Sequence, residues 1–399
     1  MRAQVAAVMM AVGMLASVTG AQETKVVTVG PEYAARGPHV CRASLLCEDP
    51  PLEDTGKRMT ATINHAWTLV SRPEGPFKPS DFEWVEAPVP GLADGQVLVR
   101  QVYLSLDPAS RGWAGATPTY MPSIPLGSVM RGFGLGVVDA SRDPALRPGD
   151  LVQGLLGWQT YAVVDGHTLG RVVRDPALPL DAYLSVVSHI GATAYFGLLE
   201  VGALAAGDTL VVSGAAGAVG SLVGQIGKIM GCRVIGVAGS QEKCAWLTEL
   251  GFDATINYKQ EPVLSRLRRL CPNGIDVHFE NVGGAILDAA LAFINLRARV
   301  VLCGLISQYN EAVPPPGPRF IGNVLTRRAK IEGFIVADYL HRFGEAFGPL
   351  TEWLKDGRLR YRTDMVDGLE HTPVAVNRLF DGANTGKLMV RVSDDASLP

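Results

Sequence analysis

From Trp67 to about Tyr183 the chain runs in short apolar stretches that alternate with polar positions and are cut by Gly and Pro. Gln96–Leu104, Gly134–Val138, Leu151-Val152 and Tyr161–Val164 read as strands. Between two of them, Leu146-Arg-Pro-Gly-Asp150 makes a tight turn in which Pro sets φ and Gly takes the turn conformation. Many short strands punctuated in this way predict a small, open β-barrel. From Ala182 the pattern changes to strand and helix in alternation. The strands are Thr209–Ser213, Arg233–Ala238, Ala254–Asn257, Val277–Glu280, Arg299–Cys303 and Lys330–Val336, with helices at Val219–Met230 and Lys243–Leu250 among the segments between them. That alternation is the signature of a parallel sheet. Phe347–Lys355 and Pro373–Phe380 then read as helical, and Lys387–Val392 as a last strand. The expected fold is α/β: a doubly wound parallel sheet plus a β-barrel domain.

The first 58 residues do not match this body. Arg2 precedes an apolar run, Val5–Val18, that ends in small residues up to Ala21, as a secretory signal does. The run is too short to span a bilayer. Ala34–Lys57 is polar and without periodicity. Two readings compete. In one the protein is exported, begins near Gln22 and can pair Cys41 with Cys47. In the other translation starts at Met59 and the enzyme is cytoplasmic; the body of the chain favours this one, because reduced nicotinamides are cytosolic.

Composition narrows the class. A net charge of −3 builds in no general attraction to nucleic acid or to an anionic membrane. Six Cys in 399 residues are too few for a disulfide framework. A reduced, globular enzyme is left.

The chemistry is concentrated in one turn. Leu210-Val-Val-Ser213 runs into Gly214-Ala-Ala-Gly-Ala-Val-Gly220 and then into a helix of small apolar residues. Small residues let the backbone approach a pyrophosphate, and the helix N-terminus supplies N–H groups and a positive dipole. The spacing G-x-x-G-x-x-G is weak alone and gains weight from lying between a strand and a helix. An NAD site places Asp or Glu at the end of the next strand, about 20 residues on. Here that place reads Val237-Ala-Gly-Ser-Gln-Glu-Lys243. Ser240 and Lys243 offer donors and positive charge to a 2′-phosphate, and Tyr258 adds a phenol, so NADP(H) is the expected cofactor. Zinc is not expected: no Cys lies between Thr60 and Gly231, and His65, His167 and His189 have no ligand spacing. Cys232, Cys244 and Cys303 read as small buried hydrophobes. Without metal, hydride transfer needs a hydrogen-bond donor where negative charge develops. The loop Cys303–Asn310 leaves a strand at its carboxyl end, where ligands bind in such sheets, and this places Tyr309 to reach a substrate oxygen.

With these residues on the page, the chain resembles the zinc-free medium-chain dehydrogenase/reductases, in the leukotriene B4 dehydrogenase/prostaglandin reductase and 2-alkenal (double-bond) reductase branch. The resemblance rests on Leu104-Ser-Leu-Asp-Pro-Ala-Ser-Arg-Gly112, Gly214–Gly220, Gly239–Lys243, Asn257-Tyr-Lys259, Glu280-Asn-Val-Gly-Gly284, Cys303–Asn310, Ile331–Val336 and Gly382–Lys387. It implies a GroES-like catalytic domain (59–183), a Rossmann NADP-binding domain (184–343), a C-terminal return to the catalytic domain (344–399) and a homodimer. It also implies NADPH-dependent reduction of the C=C bond of enones, with Tyr309 stabilising the enolate; an NADPH-dependent quinone reductase and a non-catalytic NADPH-binding regulator are the alternatives. Carried across, it puts Gly217, Ala218, Val219 and Gly220 at the pyrophosphate, and Ser240, Lys243 and Tyr258 at the 2′-phosphate. Asn281 meets the nicotinamide half. Cys303, Gly304, Leu305, Ile306, Ser307, Gln308 and Tyr309 line cofactor and substrate; Phe334, Ile335 and Val336 flank the nicotinamide; Asn384 closes the cofactor. Tyr103, Met130 and Tyr309 line the substrate side, and Asp107 and Arg111 are expected to form a structural ion pair. Two places depart from the family pattern: Ser188-His-Ile-Gly191 replaces Gly-Met-Pro-Gly or similar, and Ala109-Ser110 replaces Tyr-Met or Ala-Met.

Overall fold

The structure is a computed structural model that describes residues 62–394. The expected extension 1–58, with Cys41, Cys47 and the alternative start Met59, lies outside the described residues. The first part of the chain forms β1 (Ile63–Leu69), β2 (Phe82–Pro88), β3 (Gln96–Ser105), β4 (Phe133–Ser141), β5 (Leu151–Leu155), β6 (Tyr161–Asp165) and β7 (Gly170–Arg171). β3 is the axis of this part, antiparallel to β4 along one edge and to β6 along the start of the other. Its side chains alternate between cores. Val97 and Val99 pack with Val152 and Leu156, whereas Leu104 packs with Trp113, Met130 and Trp158.

The second part holds β8 (Thr209–Val212), β9 (Arg233–Ala238), β10 (Ala254–Asn257), β11 (Ile275–Glu280), β12 (Ile294–Leu302) and β13 (Lys330–Gly333). They form one parallel sheet in the order β10-β9-β8-β11-β12-β13. The order reverses between β8 and β11, so the crevice outside their carboxyl ends is the place for a ligand. Helix Ala218–Ile229 lies close on this sheet because glycines form its inner face. A Cβ at Gly224 would run into the Phe252 ring, and one at Gly227 would lie 2.7 Å from Leu210 Cδ2.

The chain then returns. β14 (Thr363–Asp367) and β15 (Lys387–Arg391) join the antiparallel sheet, β15 lying between β14 and β3. Three expected elements differ in detail. The strand expected over Lys330–Val336 stops at Gly333, and a 3₁₀ turn occupies Val336–Arg342. The expected helix Pro373–Phe380 is two pieces, Thr372–Ala375 and Arg378–Asp381; Asn377 between them exchanges hydrogen bonds with the backbone of Phe77 (3.1 and 2.9 Å). Helix Phe347–Lys355 starts earlier, at Phe343.

Two glycines in helices are expected to respond oppositely to alanine. Ala favours a helix over Gly by about 0.8–1 kcal/mol, but overpacking a core costs about 1–3 kcal/mol. Gly224→Ala should therefore destabilise, whereas Gly344→Ala, with nothing within 4 Å of the new methyl, should stabilise by up to about 1 kcal/mol. Urea midpoints of the two variants check this, and equal shifts in one direction would count against the packing described.

Candidate cofactor and active site

The crevice at the sheet reversal is built on a buried carboxylate. Glu280 ends β11, fully buried, and accepts from Val282 N (2.6 Å), Gly283 N (2.9 Å) and the Ser213 hydroxyl. His278 Nε2 lies 2.8 Å from its other oxygen, while His278 Nδ1 faces Val211 O of β8 at 3.2 Å. Burial pushes the Glu280 carboxyl up, but His278 and the surrounding donors outweigh it and hold it below the usual carboxylate range. Ser213 Oγ in turn accepts from Asn281 N, and Asn281 Nδ2 donates to Ser213 O, both at 2.7 Å. The ends of β8 and β11 are thus stitched by side chains where no strand lies between them and a ligand. Asn281 was expected here; Ser213, His278 and Glu280 had been given no role. The available signal was a His and a Glu two residues apart in the expected strand Val277–Glu280, alternating with Val and Phe, which puts both on one face.

The glycine turn follows. Gly214 has φ +56, and a Cβ on Gly220 would strike Gly214 O and lie 2.9 Å from Ala215 Cα. Only glycine lets the helix start this close to the strand end. Gly217 is the N-cap of the helix that Ala218, Val219 and Gly220 begin; the first N–H groups of such a helix have no intrahelical partner. At the end of β9, Ser240 caps helix Gln241–Glu249, its Oγ accepting from Lys243 N at 3.1 Å. Burial and the neighbouring Lys259 lower the affinity of the Lys243 ammonium for its proton. Tyr258 packs against Gly239 and is 42% exposed. The structure thus brings Ser240, Lys243 and Tyr258 to one corner and adds Lys259, which the sequence reading had not singled out. Lys243 Nζ also donates to Gly382 O (2.8 Å), and Gly386 makes a bridge to Gly217. The return segment therefore lies directly over the phosphate turn. Asn384, in that segment, donates to Gly386 O (2.9 Å).

The loop after β12 forms the next wall. Cys303 N and Gly304 N donate to Glu280 O, and Ile306 N and Ser307 N to Asn281 O and Val282 O, so the buried carboxylate's loop also carries this one. Gln308 N closes the turn on Leu305 O (2.9 Å). Burial, with Glu280 nearby, pushes the Cys303 thiol up to about 12, which makes it a neutral thiol. Cys232 and Cys244 are buried. The Tyr309 hydroxyl accepts from Leu305 N at 3.1 Å. Burial raises the phenol, partly offset by that N–H. Phe334 packs on Phe279 and Tyr339, and Ile335 and Val336 lead into the following 3₁₀ turn. Tyr120, missed in the sequence, joins this site: it accepts from Trp113 Nε1 (3.2 Å). Burial lifts its phenol to about 12, and Asp107 and Tyr309 add to that rise.

Tyr103 packs with Val102, Leu135 and Leu184, and Met130 with Leu104 and Trp158; both are buried. One expectation on the barrel side is corrected. Asp107 and Arg111 do not pair. Arg111 donates to Gly75 O and Pro73 O, each at 2.9 Å. Asp107 instead meets the buried Lys387 ammonium of β15 (2.8 Å) and, at 3.5 Å, His189 Nε2.

A doubly wound sheet with a glycine turn at its reversal, joined to an antiparallel barrel, defines a dinucleotide-dependent oxidoreductase. Residues 65–172 match the family described as "N-terminal domain of oxidoreductase" and 218–354 the one described as "Zinc-binding dehydrogenase". The chain is 43% identical over 338 residues to the NADPH-dependent curcumin reductase of Escherichia coli, covering 83% of this chain and 98% of that one. The NADP⁺-dependent 2-alkenal reductase of Nicotiana tabacum is 41% identical over 300 residues, covering 74% and 87%. The structure of CurA from Vibrio vulnificus in complex with NADPH superposes with a TM-score of 0.78 at 42% identity, covering 83% of this chain and 99% of that one. The chain belongs to the medium-chain dehydrogenase/reductase family, with its Rossmann and GroES-like folds, and is an NADP(H)-dependent oxidoreductase. The glycine turn and the Ser240–Lys243–Tyr258–Lys259 corner fit that cofactor. The second family description carries zinc; among the described residues no group of three or more His, Cys, Asp or Glu is placed to hold a metal ion. No helix among them is long and apolar enough to cross a membrane.

Glu280→Gln removes a buried charge from the donors gathered around it. Leaving buried donors without their partner costs about 1–3 kcal/mol, so the variant should unfold at distinctly lower denaturant at pH 7. Because the Glu280 carboxyl is held below its ordinary value, its contribution is present above about pH 4.3 and disappears as pH falls through its lowered folded value. The gap between wild type and variant should therefore shrink in acid; a gap independent of pH would remove the charge from the account.

Proposed function

We propose that the chain reduces the C=C bond of α,β-unsaturated aldehydes and ketones, with Tyr309 as the hydrogen-bond donor to the oxygen of the developing enolate. NADPH, when bound, supplies the hydride. The observation that carries the reading is the Tyr309 hydroxyl. Its oxygen already accepts a backbone N–H, which leaves the phenolic proton as its contribution to the site, and burial keeps that proton on the oxygen. A protonated phenol held in a dry wall is a fixed donor for charge that develops late in the reaction. Similarity to a tobacco protein named for 2-alkenals and to a bacterial one named for curcumin supports the same substrate class.

Around it, Gly217–Gly220 hold the pyrophosphate through backbone N–H groups. Ser240, Lys243 and Tyr258 hold the 2′-phosphate; an ammonium has three donors, so Lys243 can keep Gly382 O and still meet a phosphate. Asn281, the loop Cys303–Gln308 and Phe334, Ile335 and Val336 shape the nicotinamide end, and the segment bearing Asn384 covers the cofactor. A cytoplasmic setting, which holds NADPH, suits this chemistry. A homodimer suits the surface: Ile321 and Leu325 are 50% and 81% exposed beside the edge strand β13.

Tyr309→Phe should lower kcat on enones on the order of 100-fold with NADPH affinity retained; unchanged turnover would show that Tyr309 is not the oxyanion donor. The wild-type enzyme should prefer NADPH to NADH by at least roughly tenfold in kcat/KM, about 1.4 kcal/mol. Lys243→Ala should raise KM for NADPH and leave NADH nearly untouched. Equal use of the two cofactors before mutation would sink the 2′-phosphate assignment.

A further inference from the structure

We propose that His189, held by Asp107, is the acid that delivers the proton to the α-carbon and so completes the reduction. The inference rests on the enone reading above and supplies the second hydrogen that the reading requires.

His189 stands first in helix His189–Phe196, at one of the two places where the sequence leaves the family pattern. Its ring stacks on Phe133 (4.2 Å between centroids, 18° between planes) and its side chain is only 13% exposed. Nε2 is buried without a hydrogen-bond partner, and Asp107 Oδ2 lies 3.5 Å away, close enough for charge and too far for a good hydrogen bond. A polar nitrogen left so in a nearly buried ring costs stability and calls for a reason. Asp107 is itself fixed: Ser105 Oγ donates to Oδ2 (2.6 Å) and Lys387 Nζ to Oδ1 (2.8 Å). Burial pushes its carboxyl up, yet Lys387 and His189 together hold it well below the usual range. A fixed carboxylate thus faces Nε2 of the ring.

The pair is tied to the cofactor crevice. Asp107 is held by Lys387, the residue after Gly386, whose backbone bridges to Gly217 of the phosphate turn. In the proposed scheme the phenol from the loop after β12 and the imidazole from the barrel side serve the two ends of an enolate. Once the β-carbon has received its hydride, the former π pair is spread over the α-carbon and oxygen. The α-carbon forms its C–H bond with the proton of a His189 N–H, the N–H pair stays on the ring, and Asp107 remains ionised. Water then reprotonates the ring. Asp107 is a positioning residue in this scheme; it touches no substrate atom.

The test uses the full chain, NADPH and an α-methyl enone in D₂O. It reads kcat, KM, the Kd for NADPH by fluorescence, and the configuration of the new α-carbon stereocentre. Wild type should give one configuration. His189→Met and His189→Gln should each lose kcat on the order of 100-fold, keep the NADPH Kd within about twofold, and give both configurations as solvent takes over the protonation. Asp107→Asn should erode the configuration in the same way with a smaller loss of kcat. Wild-type rates and a single configuration in both His189 variants would overturn the proposal while leaving enone reduction intact. A wild-type enzyme that consumes no NADPH with any enone would overturn the enone reading itself, and this proposal with it.

Discussion

A single buried carboxylate at the reversal of the parallel sheet organises the site. Strands β8 and β11 are paired neighbours at the point where the strand order reverses. Glu280 holds both loops: it accepts from the Ser213 hydroxyl on one side and from Val282 and Gly283 on its own. An ionised carboxyl in an apolar sheet is unfavourable unless its lone pairs are filled, and here four groups fill them. The same requirement makes the crevice rigid. The loop that carries Tyr309 hangs on the backbone oxygens of Glu280, Asn281 and Val282, so the orientation of the phenol is inherited from the charge beneath it.

The second constraint joins the two halves of the chain. Lys387, 3% exposed, reaches Asp107 and Leu106 O across the antiparallel sheet, while Lys243 reaches the carbonyl of Gly382 from the parallel one. The six residues Gly382–Lys387 of the return segment thus connect a phosphate corner to a carboxylate on the barrel side. Cofactor and substrate walls are held in register by the same short piece of chain.

Much of this was legible in the sequence because it follows from periodicity. The strands β8, β9 and β10 were found nearly residue for residue, since a buried parallel strand is a continuous apolar run with sharp ends, whereas β12 starts five residues before the expected Arg299 and β13 stops three before the expected Val336. The glycine turn was legible for the same reason: Gly214, Gly217 and Gly220 sit where backbone must pass close to backbone. Partners were harder. The expected pair of Asp107 with Arg111 fits sequence proximity, but a carboxylate chooses among all charges the fold delivers, and β15 delivers Lys387 from the far end of the chain. Resemblance placed Tyr103 and Met130 near the cleft, and their burial among core side chains follows only from the folded barrel. Tyr120 was passed over, and His189 was read only as a non-ligand within a departure from the family pattern, because Trp113, Phe133 and Asp107 are brought to them only by the folded barrel.

The position of β15 between β14 and β3 has a consequence for how the molecule is made. Asp107 and Lys387 are 280 residues apart, and the parallel sheet is encoded entirely between them. During synthesis from the N-terminus the parallel sheet has all its strands first. The antiparallel sheet, begun earlier, must wait for the last strand to leave the ribosome. Through that interval the end of β3 is an open strand edge, with Asp107 two residues beyond it and its Lys387 partner not yet made, and an open edge is where nascent chains associate. The charge that later anchors the barrel meanwhile serves as its gatekeeper, because a carboxylate beside an edge discourages another strand from adding there.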